Sequence, residues 1–340
     1  MRTPFISIDI PVYNMADYVG ECLDSILSQS FSDWEVICTD DGSTDETGRI
    51  LDEYAAKDSR IRVIHQGNRG VSIARNVAMD ASQGEWLWFV DPDDVLLSGA
   101  LARIHELVAI NNCDAIYFSK FTSFDERCDE SVKGKGDYIL KMSSPDTGKA
   151  LLFQNKRLQG QPFLRVLRRE KFGTVRYPDG VIYLEDSINM IDILSVKAKW
   201  VYVDESVYGY RYRLGSVSHG YRKGKCELVL ESFADIFRRS REKLGLTDDE
   251  YHKFVQQSSG AARYYMTLAF KSENREGLKR ISIAYNQFRR ITGERFLNRF
   301  WCVRCRLAGL GLYGVLSWGV RIMEWLYFGC RKKLGFSVDD

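Results

Sequence analysis

At 340 residues the chain is long enough for one large domain of roughly 200 to 250 residues plus a smaller addition. Its composition, 45% hydrophobic and 28% charged with six prolines, is that of a folded protein and excludes a disordered or fibrous class. Lys and Arg number 48 against 46 Asp and Glu, so the overall charge predicts neither a nucleic-acid binder nor an acidic protein.

The chain enters a strand pattern within its first five residues, with no basic region, apolar run and small-residue cleavage site ahead of it, and secretion is not expected. Phe5 to Ile10, Trp34 to Thr39, Ile61 to His65, Trp86 to Val90 and Ala115 to Ser119 read as strands. Asp17 to Ser28, Thr44 to Ala56, Val71 to Ala81 and Leu97 to Ile110 read as the helices between them. Ser43, with Glu46 three residues on, has the spacing of a capping box for the second helix. Strand alternating with crossover helix predicts an α/β fold with a mainly parallel, doubly wound sheet flanked by helices.

A polar stretch, Glu126 to Gly136, ends that pattern, and mixed strands are expected in the less regular sequence up to Asp179. Leu184 to Leu194 reads as a helix, Trp200 to Tyr212 as two strands, and Cys226 to Arg290 as helical with a polar break near Thr247 to Asp249. From Arg289 to Asp340 there are ten Lys or Arg against four Asp or Glu, among dense apolar and aromatic residues. Leu307 to Val320 is fourteen residues without a charge, short of the roughly 20 needed to span a bilayer. Trp318, Trp325 and Tyr327 with flanking Arg and Lys suit a segment lying in the headgroup zone of an anionic membrane, or equally a buried helix pair against protein or a dimer partner.

The eight cysteines, Cys22, Cys38, Cys113, Cys128, Cys226, Cys302, Cys305 and Cys330, are scattered, several inside apolar runs where a free thiol acts as a small hydrophobe. A reducing, cytoplasmic compartment is expected. Cys302 and Cys305 have no second pair or nearby His to complete a four-ligand zinc site, so their spacing reads as chance.

Two acidic clusters follow strands directly: Asp40 and Asp41, then Asp91, Asp93 and Asp94. In a parallel sheet the carboxyl ends of the strands share one edge, so both clusters face one crevice. Crowded carboxylates raise one another's pKa unless a cation sits among them, which calls for a divalent metal. Oxygen ligands suit Mg²⁺ or Mn²⁺, whose shell is commonly completed by water and substrate phosphates. The plainer reading makes Asp41-Gly42 a turn, and Pro92 with Asp93 and Asp94 a turn into a helix cap.

The run Pro11-Val12-Tyr13-Asn14, then Asp40-Asp41-Gly42-Ser43-Thr44-Asp45, Gly70 with Ala74-Arg75-Asn76, and Asp91-Pro92-Asp93-Asp94 resembles the inverting glycosyltransferase family 2, of the bacterial polysaccharide-biosynthesis type, which has the GT-A fold. The resemblance covers about residues 5–215 and implies a GT-A catalytic domain over 1–215, with a nucleotide-binding half at about 1–120 and an acceptor half at about 121–215. A helical C-terminal region, 216–340, follows, with its basic, aromatic end at about 296–335.

By this resemblance Pro11, Tyr13 and Asn14 belong to the nucleotide site, and Asp41 accepts the uracil N3 proton, favouring a UDP-sugar donor. Asp91 and Asp93 form the D-x-D element, Asp93 as direct ligand of Mn²⁺ or Mg²⁺ and Asp91 nearer the ribose. Glu185-Asp186 resembles the E-D motif, with Asp186 as the general base that inversion by direct displacement requires and Glu185 on the acceptor side or near the diphosphate. Two acids at a helix N-terminus are also simply favourable to the helix. Arg75 lies off the apolar stripe of Val71, Ala74, Ala78 and Ala81, and is expected to reach the nucleotide, to brace the acidic loop, or to be a solvated surface residue. Arg211 and Arg213 are expected at the diphosphate as a loop closes, although alternating Arg and Tyr is also what a half-exposed strand looks like.

The implied reaction is metal-dependent transfer of a sugar to a hydroxyl of a glycan or lipid-linked glycan, by a cytoplasmic protein peripheral to the membrane, with no nucleic-acid partner and an open oligomeric state. A sugar-phosphate nucleotidylyltransferase needs a Gly-rich loop where this chain has Pro11-Val12-Tyr13-Asn14. A non-catalytic carbohydrate- or nucleotide-binding module has no need of a metal ligand and a base together.

Overall fold

The computed structural model describes residues 3–125, 139–142, 152, 160–213, 225–258 and 275–292. Eight strands form one sheet in the order β3-β2-β1-β4-β9-β6-β10-β8. β1 (Ile6–Val12), β2 (Trp34–Asp40), β3 (Ile61–His65) and β4 (Trp86–Phe89) run parallel, as expected from the sequence. Every residue of β1, β2 and β4 is buried, because helices cover both faces of such a sheet and its strands read as continuous apolar runs. β6 (Ala115–Phe118) and β10 (Trp200–Val203) pair parallel to each other, and β8 (Ile139–Met142) closes the far edge antiparallel to β10.

β9 (Arg165–Arg168) sits in the middle of the sheet, antiparallel to both β4 and β6. Its sequence, Arg-Val-Leu-Arg, has the look of a surface segment. Yet Arg165 is 2% exposed, its guanidinium donating to the Gly160 carbonyl at 3.1 Å and resting on Met190 Sδ. A second sheet of three short strands, β5 (Val95–Leu96), β11 (Tyr208–Arg211) and β7 (Thr122–Phe124), lies in the order β5-β11-β7.

Between the parallel strands run α1 (Val19–Leu27), α2 (Thr47–Lys57), α3 (Val71–Ala81) and α4 (Ala100–Asn111). α1 buries Val19, Cys22, Leu23 and Ile26, the one-face spacing of an amphipathic helix. The expected capping box of α2 does not form. Ser43 Oγ instead accepts from the Asn14 amide at 3.0 Å, Glu46 bonds Arg49 at 2.6 Å, and the helix begins at Thr47, whose amide donates to Asp45 Oδ1 at 3.0 Å. A partner from another loop outbid the local one for the serine. α5 (Arg169–Phe172) and α6 (Glu185–Leu194) follow β9.

Two compact units divide the chain: Met1–His219 with Arg239–Leu246, and Gly220–Arg238 with Thr247–Asp340. The first holds both sheets. Further on come α7 (Lys225–Leu244), a helical stretch α8 over 248–258, and α9 (Arg275–Thr292). The polar break before α8 carries a capping box: Thr247 N donates to Glu250 Oε2 at 2.8 Å and Glu250 N to Thr247 Oγ1 at 3.3 Å. Phe237 gathers the aromatic core of the second unit, meeting Phe254 edge-on at 5.5 Å and Phe288 at 5.8 Å. The basic, aromatic end at 296–335 and the Cys302–Cys305 pair lie outside the described residues. Among the described residues no helix is long and apolar enough to cross a membrane.

Candidate active site

Parallel pairing brings the carboxyl ends of β1, β2 and β4 to one edge, with Val12 opposite Asp40 and Asp9 opposite Phe89. The loops that follow are knitted together there. Asp41 N donates to the Val12 carbonyl at 2.8 Å, and Val90 N to the Asp9 carbonyl at 3.1 Å. Pro11 lies in β1 beyond the last β4 partner, on the side of the strand that faces β4, so its missing N–H breaks no ladder bond. Tyr13 is 44% exposed at the edge, and Asn14, at φ 52°, takes the left-handed turn that Asn tolerates. Asn14 then bridges to the second loop, its Oδ1 accepting from Thr44 N at 2.8 Å.

Asp41 is 3% exposed. Its Oδ1 accepts from Gln66 Nε2 at 2.6 Å and Arg69 N at 2.8 Å, and its Oδ2 from Gly70 N at 2.8 Å. This carboxylate therefore staples the loop between β3 and α3. Gly42, at φ +75°, is required beside it: a Cβ there would stand 2.7 Å from the Asn68 backbone N.

The acidic centre forms where β4, α3 and α6 meet. Arg75 on α3 is 4% exposed, so the solvated-surface alternative is excluded and the bracing one is seen. One guanidinium nitrogen bonds Asp186 Oδ1 at 2.6 Å and lies 3.5 Å from Glu185 Oε1, while the other is 3.6 Å from Asp91 Oδ1. Its plane rests 4.9 Å from the centre of the Tyr177 ring. Asn76, the next residue, clamps the Tyr177 backbone from both sides, at 3.0 and 2.9 Å. The helix face expected from the apolar stripe is rotated, since Val71 is 40% exposed and Arg75 is buried.

A second set of arginines comes from the end of β11. Arg213 pairs with Asp93 Oδ2 at 2.6 Å. Arg211 donates through Nε to the Asp93 carbonyl at 2.9 Å and through Nη2 to Glu21 at 2.6 Å. Tyr18 lies against both, at 5.5 Å from Arg211 and 4.8 Å from Arg213. Asp94, 1% exposed, accepts from Tyr208 Oη and the Arg211 amide, each at 2.7 Å.

Burial and crowding hold these acids away from their ordinary values. Burial raises Asp91 to about 6 against the pull of Arg75, with Asp93 and Asp186 adding to the rise. Glu185 is raised to about 7 by burial and then by the Asp186 charge. Asp94 is pushed up to about 9 by burial, Asp91 and Asp93. Such an excess of oxygen donors over countercharge suits a hard divalent cation. Among the described residues no group of three or more His, Cys, Asp or Glu is disposed to hold a metal unaided. Asp91 and Asp93 fit the pattern in which one or two carboxylates share the ion with phosphates and water.

Arg75, Asp91, Glu185 and Asp186 are thus joined in one network, Asp93, Arg211 and Arg213 in a neighbouring one, and Pro11, Tyr13, Asn14 and Asp41 along the adjoining strand ends. Sequence reasoning missed Tyr177, Tyr18 and Glu21, which carry no motif. Gly160 was likewise silent, although a Cβ there would come 2.8 Å from Ser187 N in the first turn of α6.

The family model described as Glycosyl transferase family 2 matches residues 7–174. The putative glycosyltransferase EpsH of Bacillus subtilis (strain 168) is 42% identical over 268 residues, covering 74% of this chain and 73% of its own. The uncharacterized glycosyltransferase EpsJ of the same organism is 32% identical over 219 residues, 63% of each chain, so the match spans less than two thirds of that relative. The putative teichuronic acid biosynthesis glycosyltransferase TuaG, also from Bacillus subtilis, is 38% identical over 111 residues, 32% of this chain and 44% of its own. Among solved structures, S. aureus TarS 1-349 superposes with a TM-score of 0.69 at 18% identity, covering 95% of this chain and 91% of that one. Its complex with UDP-GlcNAc gives 0.64 at 20% identity, covering 95% and 92%. At this identity the likeness establishes the fold, and that fold is GT-A.

Proposed function

We propose, on the premise that the chain belongs to glycosyltransferase family 2, that it moves a sugar from a nucleotide-sugar donor, a UDP-sugar before others, onto a hydroxyl of a cell-surface glycan or lipid-linked glycan. The observation that carries this reading is Arg75, buried between Asp91 of the D-x-D element and Asp186 of the E-D motif. A binding module has no reason to join a metal ligand to a base. The UDP-GlcNAc complex of TarS supports the donor class, and the relative named for teichuronic acid biosynthesis supports the acceptor class.

Tyr13 and Pro11 would wall the base, and the second lone pair of Asp41 Oδ2 is the acceptor a base imino hydrogen would use. Asp93 and Asp91 would hold Mn²⁺ or Mg²⁺, which supplies Lewis-acid stabilisation of the leaving diphosphate. With Asp186 Oδ1 fixed by Arg75, Oδ2 is left to take the proton of the acceptor hydroxyl as its oxygen attacks the anomeric carbon from the opposite face, inverting it. Arg213, now on Asp93, and Arg211 would meet the diphosphate. The basic, aromatic segment at 296–335 would rest on an anionic membrane surface, which co-sedimentation with anionic against neutral vesicles tests.

The decisive experiment is a screen of UDP-sugars with Mn²⁺ for release of nucleoside diphosphate. Slow release from one donor is expected without acceptor, and Asp93→Ala should abolish it. Asp186→Asn should lose transfer while keeping donor affinity; equal loss of both would remove Asp186 from the base role. No turnover with any donor and an acceptor extract would leave a binding module.

A further inference from the structure

We infer that His65 is a positioning residue for the nucleotide loop, its imidazolium clamping Asp40 to Asp52 so that nucleotide affinity falls as the ring loses its proton. This rests on the nucleotide-site reading above. His65 ends β3 directly across the ladder from Asp40, the last residue of β2. Its Nδ1 stands 2.8 Å from Asp40 Oδ2, and its Nε2 stands 3.1 Å from Asp52 Oδ1 on α2. A neutral imidazole has one N–H and can donate to one carboxylate only; both contacts together require the cation.

The clamp bears on the loop that carries Asp41. The other oxygen of Asp40 accepts from Ser43 N at 2.9 Å, and Ser43 Oγ accepts from the Asn14 amide at 3.0 Å. Gln66, next to His65, donates its backbone N to the Asp40 carbonyl at 3.0 Å and its side chain to Asp41 at 2.6 Å. Gly48 lets α2 close on the pair, since a Cβ there would stand 3.3 Å from Asp40 Oδ2 and 3.6 Å from His65 Cε1. Asp40 faces the ring from β2 and Asp52 faces it from α2. The Asp40 side chain is 7% exposed and that of Asp52 65%, so the Asp40 contact dominates.

Those hydrogen bonds, Asp40 first and Asp52 second, raise the ring's pKa above its ordinary 6.5 against the effect of burial. A base held more tightly protonated when folded contributes fully below 6.5, and the contribution is lost as pH rises through the raised value. His65 makes no contact with the proposed metal ligands, so its effect separates from theirs by difference between variants.

The test is calorimetric titration of the full chain with UDP and Mn²⁺ between about pH 6 and about pH 8.5, for the natural protein, His65→Gln and His65→Arg. The natural protein should weaken about two- to fivefold more than His65→Gln over that range, the scale of a half-exposed ion pair. His65→Arg, with a permanent charge, should follow the flatter profile while keeping affinity. By NMR the His65 pKa should rise when UDP binds, which a role in fold stability alone would not produce. A natural protein that binds UDP with the same pH profile as His65→Gln, or a His65 pKa unmoved by UDP, overturns the clamp alone. No UDP binding at any pH sinks the nucleotide-site reading, and the clamp with it.

Discussion

Replacing Arg75 by Gln removes the guanidinium that Asp91, Glu185 and Asp186 share. Deleting one partner of a buried ion pair commonly costs about 3 to 5 kcal/mol. The Asp91 and Asp186 side chains are 29% and 28% exposed, so water compensates in part. A loss of about 2 to 3 kcal/mol at pH 8.5 is expected. The loss should depend on pH. Glu185, already raised to about 7 with the arginine present, climbs further without it, and each unit of rise corresponds to about 1.4 kcal/mol between its two forms. An acid whose folded pKa is raised binds more protons folded than unfolded, so its penalty grows as pH rises and saturates above the folded pKa. At about pH 5.5 Glu185 carries its proton and its share of the loss falls away, leaving the lost pair with Asp186 and the lost contact with Tyr177, together about 1 to 2 kcal/mol. Urea unfolding followed by fluorescence of the buried Trp86, Trp88 and Trp200 would measure both conditions. Equal destabilisation at the two pH values would refute the electrostatic argument and leave Arg75 a packing residue.

Asp9, fully buried in β1, is raised to about 7 by burial against its hydrogen bond from Ser82 Oγ, so the natural protein should lose stability between the ordinary 3.8 and that value. Asp9→Asn should therefore gain on it by about 2 to 4 kcal/mol between about pH 5 and about pH 9 in urea unfolding; a constant difference would contradict this. Gly42→Ala combines a positive φ with a Cβ 2.7 Å from the Asn68 backbone, and should cost about 1 to 3 kcal/mol and weaken UDP binding in the same calorimetric assay. Unchanged affinity would show that the loop can shift without harm.

The parallel half of the sheet was legible because β1, β2 and β4 are buried on both faces and so carry unbroken apolar runs. The two acidic clusters were legible for the same reason, since a strand that ends in Asp at this edge has its site residue fixed by topology. Arg75 was not. An apolar-stripe argument assumes that what turns inward is apolar, whereas this face is set by carboxylates at 91, 185 and 186, far away in sequence. Ser43 failed as a cap for a related reason, its hydroxyl being engaged by Asn14, 29 residues earlier. Local rules give way where distant groups compete for the same donor or charge.

β9 explains why those distant carboxylates meet at all. Continuing the parallel pattern would have placed another strand beside β4 and left the later helices elsewhere. Instead an antiparallel strand enters between β4 and β6, pinned by Trp86–Arg168 and Ala115–Leu167 pairing. Running antiparallel to β4, it begins near the edge where β4 ends, and Gly160 ahead of it touches the first turn of α6. The chain after it returns through Tyr177, held by Asn76, and α6 opens with Leu184 in the left-handed region at φ 61°. A bulky residue keeps that conformation only where its surroundings over-determine it. Here those surroundings are the close approach of Gly160 and the ion pair from Arg75, which together set Glu185 and Asp186 opposite the loop of Asp91 and Asp93. Asp186 is thus positioned by the antiparallel strand beside β4, and a glycine and an arginine far apart in sequence hold it there.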